Sequence, residues 1–302
     1  MFANNGRISQ SQCMRLLFFD MMGIGSLMLP GYLAGSCETD GAIAIVAGCA
    51  MGFAMLAYLK WVLAKQKTDY FSYIHSVVGK WGAGFIGILY GLYYLVFGGC
   101  VFYQLSKLIQ DYLLQKESFT IILLLLHLLA IYGIYRGVEC RARVYEVLFY
   151  ILLVPFLIML ALGSRDVEFV NLMPMGISSP MEIGQGAYGV FLVFAIAQML
   201  LLTSPYLSLK EGIRGARRAM LLCGIIFIIV YEIVIGVFGT IAVSGRSYAV
   251  VDLMSTITLQ GGFLRRQDAF MIGLWFFMLY AAGASGIFYG ASCFGFCHGI
   301  TG

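Results

Sequence analysis

The residues with the clearest chemical potential lie in the first long apolar stretch of the sequence. The run Gly23-Ile24-Gly25-Ser26-Leu27-Met28-Leu29-Pro30 is poor material for an unbroken membrane helix. Proline lacks a backbone N–H, and glycine costs about 1 kcal/mol relative to alanine within a helix. A break exposes N–H groups that bind a carboxylate, so Gly23, Gly25 and Ser26 are candidate ligand-binding residues. A proline kink that serves only close helix packing is the alternative.

The sixth apolar stretch carries a second set of candidates, interrupted by polar residues and by Pro205. Its candidate ligand-binding residues, across the same cavity, are Phe194, Ala197, Gln198, Thr203 and Ser204. The alternative is that the serine and threonine hydroxyls only bond to the carbonyl four residues back. Two interrupted spans of opposite direction, one in each half of a membrane chain, predict an inverted-repeat secondary transporter.

Two carboxylates lie within apolar stretches, Asp20 in the first and Glu232 in the seventh. A charge at the middle of a bilayer costs at least about 2.5–3.5 kcal/mol, so both are candidates for proton or cation coupling. Asp20 could instead reach the inner interface. The trio Cys293, Cys297 and His298 is weak evidence for a metal, so we expect neither a metal site nor a cofactor.

Composition identifies the chain as an integral membrane protein. Of its 302 residues, 61% are hydrophobic and only 11% are charged, against about 25% charged in soluble domains. The net charge of +4 lies in short loops between apolar stretches and does not indicate nucleic-acid binding. Since the sequence contains no nucleophile elbow, no phosphate-binding glycine loop and no soluble domain, we do not expect an enzyme.

Eight apolar stretches are long enough to be membrane spans. They cover about Ser11–Gly35, Gly41–Ala64, Gly82–Leu114, Phe119–Tyr135, Val144–Gly163, Gly184–Leu207, Arg218–Val243 and Asp268–Phe296. Most of the 19 lysines and arginines fall on one side of these spans, which predicts a cytoplasmic N-terminus. In the third span, Gly84, Gly87, Gly91 and Gly98 form a small-residue stripe, expected to pack closely on a neighbouring helix.

We expect residues 1–302 to form one polytopic membrane domain. The first repeat would cover about residues 11–163, and an incomplete second repeat about residues 184–296. A five-helix repeat requires ten helices, so only eight of the expected ten are present in the sequence.

Several segments together resemble one family, the spore germination permeases. They are Gly6–Gln12, Gly23–Pro30, Gly137–Glu146, Asn171–Pro174 and Arg266–Ala269 with Trp275. These permeases are the B subunits of GerA-type nutrient germinant receptors, within the amino acid–polyamine–organocation transporter superfamily. The resemblance implies an all-α, LeuT-like fold with discontinuous helices 1 and 6 and a small-molecule pocket between them. It also implies A and C receptor subunits as partners in the spore inner membrane.

The sequence therefore predicts a transporter-like receptor subunit that binds an amino acid or a similar small germinant and triggers germination. We expect a zwitterion between Gly23–Ser26 and Ala197–Ser204, its carboxylate on unpaired N–H groups of Gly25 and Ser26. Its side chain would face apolar groups such as Phe194, with Trp275 or Tyr93 as further candidates. Two alternatives stay open: a proton-coupled amino-acid transporter in the cell membrane, and a truncated copy without function.

Overall fold

The computed structural model describes residues 7–65, 70–135, 137–203, 205–257 and 267–301, and for the last helix the side chains of 272–296. Over these residues the protein is all-helical and contains no strand. The longer helices are α1 (Gln10–Cys37), α2 (Gly41–Ala64), α3 (Tyr70–Tyr112), α4 (Phe119–Ile134), α5 (Gly137–Gly163), α6 (Pro180–Phe194), α8 (Leu209–Phe238) and α11 (Gln267–Thr301). The shorter ones are α7 (Leu200–Thr203), α9 (Thr240–Ser244) and α10 (Ala249–Thr256).

Each of the eight stretches predicted as a span coincides with helix. Among the described residues, six helical segments are long and apolar enough to cross a membrane, and the first, Gln10–Ala64, contains both α1 and α2. A three-residue 3₁₀ turn, Glu38–Asp40, separates these two helices. Helix α4 is shorter, at 16 residues. The chain is therefore an all-helical membrane protein, and the crossing count of eight stays a prediction.

Helix α1 is the central element, packed against α8, α11, α6 and α5. It begins with a capping box, in which the Ser9 hydroxyl and the Gln12 side chain each accept a backbone N–H of the other residue. The predicted break in this helix is wrong, because α1 runs without interruption through Gly23, Gly25 and Pro30. Proline removes one N–H donor, which a membrane helix tolerates when neighbouring helices surround it.

The two glycines of α1 mark close packing. A Cβ atom at Gly23 would lie 2.9 Å from the backbone carbonyl carbon of Met278 in α11. At Gly25 it would lie 2.1 Å from the ring of Phe227 in α8. In a continuous α-helix, each N–H donates to the carbonyl four residues earlier. The N–H groups of Gly25 and Ser26 are therefore not the unpaired donors that the sequence suggested.

The interruption predicted in the sixth span is present. Helix α6 begins with Pro180 at its first position and a capping box between Ser179 and Glu182. After Phe194 the chain changes to a 3₁₀ helix, Ala195–Met199, which is followed by the single turn of α7. The hydrogen-bond pattern of this span therefore changes within the apolar interior.

Helices α3 and α11 pack closely along the predicted glycine stripe. A Cβ atom at Gly98 would lie 2.9 Å from the carbonyl oxygen of Gly283, and one at Gly91 would meet the ring of Phe294. Gly84, by contrast, faces open space. Earlier in α3 the helix bends at Gly79, whose φ of 73° is a left-handed value that favours glycine.

Candidate functional site

The predicted residues of α1 face helices α11 and α8. Gly23 contacts the α11 backbone, and Gly25 contacts the Phe227 ring. The fully buried Ser26 hydroxyl donates to the Met22 carbonyl at 2.7 Å and accepts from the Trp275 indole N–H at 3.1 Å. The Ser26 hydroxyl is therefore bonded back to its own helix, with Trp275 as a second partner.

The predicted residues of the sixth span do not share one environment. Phe194 is buried and packs against Phe227, with ring centroids 6.0 Å apart. Ala197 is buried in the 3₁₀ segment, whereas Gln198 is half-buried beside Tyr93 of α3. The Thr203 hydroxyl donates to a carbonyl of its own turn, that of Leu200, at 3.1 Å. Ser204 lies outside the described residues.

Phe227 joins the two predicted halves of the site. Its ring lies against Gly25 of α1 on one side and packs with Phe194 on the other. The space expected between the two helices is thus partly filled by an α8 side chain. No sequence signal distinguishes Phe227 from the other aromatic residues of its span.

A cavity of about 570 Å³ lies next to this contact, between α1, α3 and α6. It is lined by Ile24, Met28, Leu29, Tyr32, Tyr93, Phe97, Cys100, Val101, Gln104, Tyr188, Gly189, Leu192, Val193 and Ile196. Its volume falls within the range of about 300–1,000 Å³ common for ligand pockets. The predicted ligand-binding residues of α1 and of the sixth span do not line it, although their immediate neighbours Ile24 and Val193 do. Tyr93, which the sequence suggested as a contact of the ligand side chain, is on its wall.

Asp20 belongs to a buried polar network that links three helices. Its carboxylate accepts from the Ser285 hydroxyl of α11 at 2.7 Å, and that hydroxyl accepts from the guanidinium of Arg141 in α5. Asp20, Ser285 and Arg141 are exposed by only 2%, 1% and 8%. Asp20 is therefore enclosed between helices. The Ser285 hydroxyl connects this carboxyl group to the guanidinium of Arg141, a partner that sequence spacing could not identify.

Glu232 stands apart from both the cavity and this network. Its side chain is half-buried on α8 and makes no hydrogen bond or ion pair with the described residues. The adjacent Tyr231 hydroxyl donates to the carbonyl of Glu38, directly after the C-terminal end of α1. Glu232 is thus a carboxylate without a fixed partner in the described part of the chain.

The C-terminal end of α1 and the N-terminal end of α6 are joined by hydrogen bonds. The Asp40 carboxylate accepts the backbone N–H groups of Gly176 at 2.6 Å and Ser178 at 2.8 Å. The Ser178 hydroxyl donates to the Cys37 carbonyl, and the Cys37 thiol donates to the carbonyl of Glu182 in α6. Burial alone would raise the pKa of Asp40, but the N–H donors hold that pKa below its usual value. We call these contacts the α1–α6 latch.

No group of three or more histidine, cysteine or acidic side chains that could hold a metal occurs among the described residues. Cys293 is buried in α11. The side chains of Cys297 and His298, the other two residues of the trio named from the sequence, lie outside the described part.

Comparison with known proteins gives a consistent result. The sequence model of the family described as "Spore germination protein" matches residues 7–295. The chain is 23% identical to spore germination protein YndE of Bacillus subtilis (strain 168) over 286 residues, 93% of this chain and 78% of that protein. It is 24% identical to spore germination protein A2 of the same organism, over 84% of this chain and 71% of that protein. Spore germination protein KB is also 24% identical, over 88% of this chain and 72% of that protein.

Proposed function

The chain belongs to the spore germination protein family, and on that premise we propose that it is the transporter-like membrane subunit of a nutrient germinant receptor. It binds a small germinant within the membrane, and this binding triggers germination. The observation that carries the proposal is the cavity of about 570 Å³ between α1, α3 and the interrupted sixth span. The sequence predicts an amino acid or a similar small molecule as the germinant.

The finer architecture belongs to the same proposal. The helices follow a LeuT-like inverted repeat, with the N-terminus in the cytoplasm and the protein in the spore inner membrane. Receptor subunits of the A and C types are its partners. The 3₁₀ interruption of the sixth span and the excess of lysine and arginine on one side of the spans support this arrangement.

Deletion of the gene from the spore-forming host tests the function directly. We expect the deleted spores to lose the response to at least one nutrient while germinating normally with a non-nutrient trigger. A complementing copy should restore that response. Spores that keep every nutrient response would contradict the receptor function.

Proton-coupled transport is the second candidate, and Glu232 favours it. A half-buried carboxylate within a membrane helix, with no hydrogen bond or ion pair to the described residues, is suited to take up and release a proton. Transport predicts accumulation of a labelled amino acid in vesicles under a pH gradient, and its loss in Glu232→Gln. Binding without accumulation would exclude transport, and the receptor function would be the remaining candidate.

A further inference from the structure

The lining of the cavity between α1, α3 and α6 indicates the kind of molecule that it accepts. Its 14 lining residues include no aspartate, glutamate, lysine, arginine or histidine. Most are aliphatic or aromatic, and the polar groups are three tyrosine hydroxyls, one glutamine amide and one thiol. A charged ligand group would therefore find no side chain of opposite charge on these walls.

Three of the five polar side chains of the wall already have a hydrogen-bond partner. The Tyr32 hydroxyl donates to the carbonyl of Gln185 at 2.9 Å. The Gln104 side-chain oxygen accepts from the Tyr248 hydroxyl at 3.3 Å, and the Tyr93 hydroxyl faces Gln198. Because α1 is continuous, its backbone N–H groups have acceptors within the helix.

A zwitterion is therefore poorly matched to this cavity. An ionised carboxylate or ammonium that leaves water without an opposite charge and without hydrogen bonds pays a large desolvation penalty. An apolar group of the same size gains free energy on entering, about 25 cal/mol for each Å² removed from water. The walls thus favour an uncharged molecule over a free amino acid by their composition alone.

Gln104 indicates which kind of uncharged molecule fits this cavity. Its side-chain NH₂ group makes no hydrogen bond within the described part of the chain, since only the oxygen is engaged. A neutral ligand oxygen could accept from that group, whereas a lipid acyl chain carries no such atom. The side of the cavity remains accessible, since Tyr32, Tyr93 and Leu192 on its wall are 44–51% exposed.

We propose that this cavity binds an uncharged, mainly apolar small molecule that carries a neutral oxygen for Gln104. The inference rests on the proposed receptor function and names the ligand class of the same cavity. Entry is from the side, through the opening beside Tyr32 and Tyr93. The ligand displaces no ion pair of the protein, and its selection depends on shape and the absence of charge.

The native cysteine Cys100 provides the test, because it lines the cavity and is exposed. Purified protein in lipid nanodiscs is labelled with N-ethylmaleimide, and the labelled cysteines are identified by peptide mass spectrometry. The probes are 2-phenylethanol and L-phenylalanine, which share a phenyl ring but differ in charge. Cys140 on α5 is exposed and lies outside this cavity, so it reports any general effect on labelling.

We expect 2-phenylethanol to slow the labelling of Cys100 by about tenfold at about ten times its Kd. Labelling of Cys140 should be unchanged, and L-phenylalanine should protect neither thiol. The variant Ile24→Phe fills the cavity and should abolish the protection. The matched variant Ile88→Phe lies on the exposed face of α3, away from the cavity, and should keep it.

Three results would overturn the inference. Equal or better protection by L-phenylalanine would show that the cavity accepts a zwitterion. Protection by neither probe would show that the cavity does not take this class of ligand. A Cys100 that becomes reactive on delipidation, with no effect of 2-phenylethanol, would assign the cavity to a lipid chain. The gene deletion tests the receptor function independently. A failure of the labelling experiment, which concerns the ligand class, is therefore distinguishable from a failure of the receptor function.

Discussion

Removal of the Arg141 charge should destabilise the protein strongly, because it leaves a buried carboxylate without a cation. Arg141 and Asp20 meet through the Ser285 hydroxyl, and all three side chains are at most 8% exposed. Leaving a buried polar group without its hydrogen-bond partner costs about 1–3 kcal/mol, and more for charged groups. Arg141→Met keeps most of the volume of the aliphatic stem and removes the charge, so we expect a loss of that size.

The double variant Asp20→Asn with Arg141→Met separates the charge effect from the packing effect. Removing both charges leaves neither uncompensated, and replacements of whole buried pairs are often nearly neutral. The double variant should therefore be more stable than Arg141→Met alone, with a coupling energy of about 2–3 kcal/mol. The matched control is Arg143→Met on the same helix, whose partly exposed ion pair with Glu139 should be worth less than about 1 kcal/mol.

Thermal unfolding in detergent measures these differences, with a thiol-reactive fluorophore reporting the exposure of buried cysteines. Cys13, Cys223 and Cys293 are buried in α1, α8 and α11 and become reactive only when the helices separate. A loss in Arg141→Met no larger than that in Arg143→Met would refute the reasoning. Strictly additive effects in the double variant would refute it too, because they would mean that the charges are not coupled.

Three further outcomes follow from the packing. Gly98→Val should destabilise the protein by about 1–3 kcal/mol or prevent folding, because the α11 backbone leaves no room for a side chain. The control Gly99→Val faces open space, and its free energy of unfolding should stay within about 0.5 kcal/mol of the unmodified protein in the same assay. Asp40→Asn should weaken the α1–α6 latch by about 1.4 kcal/mol and speed maleimide labelling of Cys37 about tenfold. Since the folded-state pKa of Asp40 is lowered, the unmodified protein should keep the latch at neutral pH and lose it only as the pH falls through that pKa, which a pH series of the same labelling checks. Trp275→Phe should cost about 1 kcal/mol of unfolding free energy through the lost indole hydrogen bond.

Helix positions were predictable from the sequence because each helix needs a long apolar stretch to be stable in a membrane. The buried network of Asp20 was only half predictable. A carboxylate in an apolar stretch indicates that a partner exists, but Ser285 is 265 residues away along the chain. Which helices meet depends on tertiary packing, and Arg141 at the start of α5 resembled an ordinary loop cation in the sequence.

The location of the cavity was also only partly predictable. Helices α1 and α6 both contribute to it, as the two interrupted spans suggested, but with faces other than the predicted ones. The third wall comes from α3, whose glycine stripe faces α11 and leaves Tyr93 and Phe97 on another side. A single sequence does not encode how a helix is rotated when both its faces are apolar.

The contrast between α1 and α6 shows what glycine and proline specify in this protein. In α1 the glycines make room for the α11 backbone and the Phe227 ring. This close packing requires only that a side chain be absent, and the helix stays regular. The span of α6 changes to a 3₁₀ segment at Ala195–Met199, a stretch that contains neither glycine nor proline. A Gly25→Val variant would force Phe227 aside, since a Cβ atom there lies 2.1 Å from the ring. Lost binding in that variant would therefore report damaged packing, and only a change on the cavity wall, such as Ile24→Phe, tests the site itself.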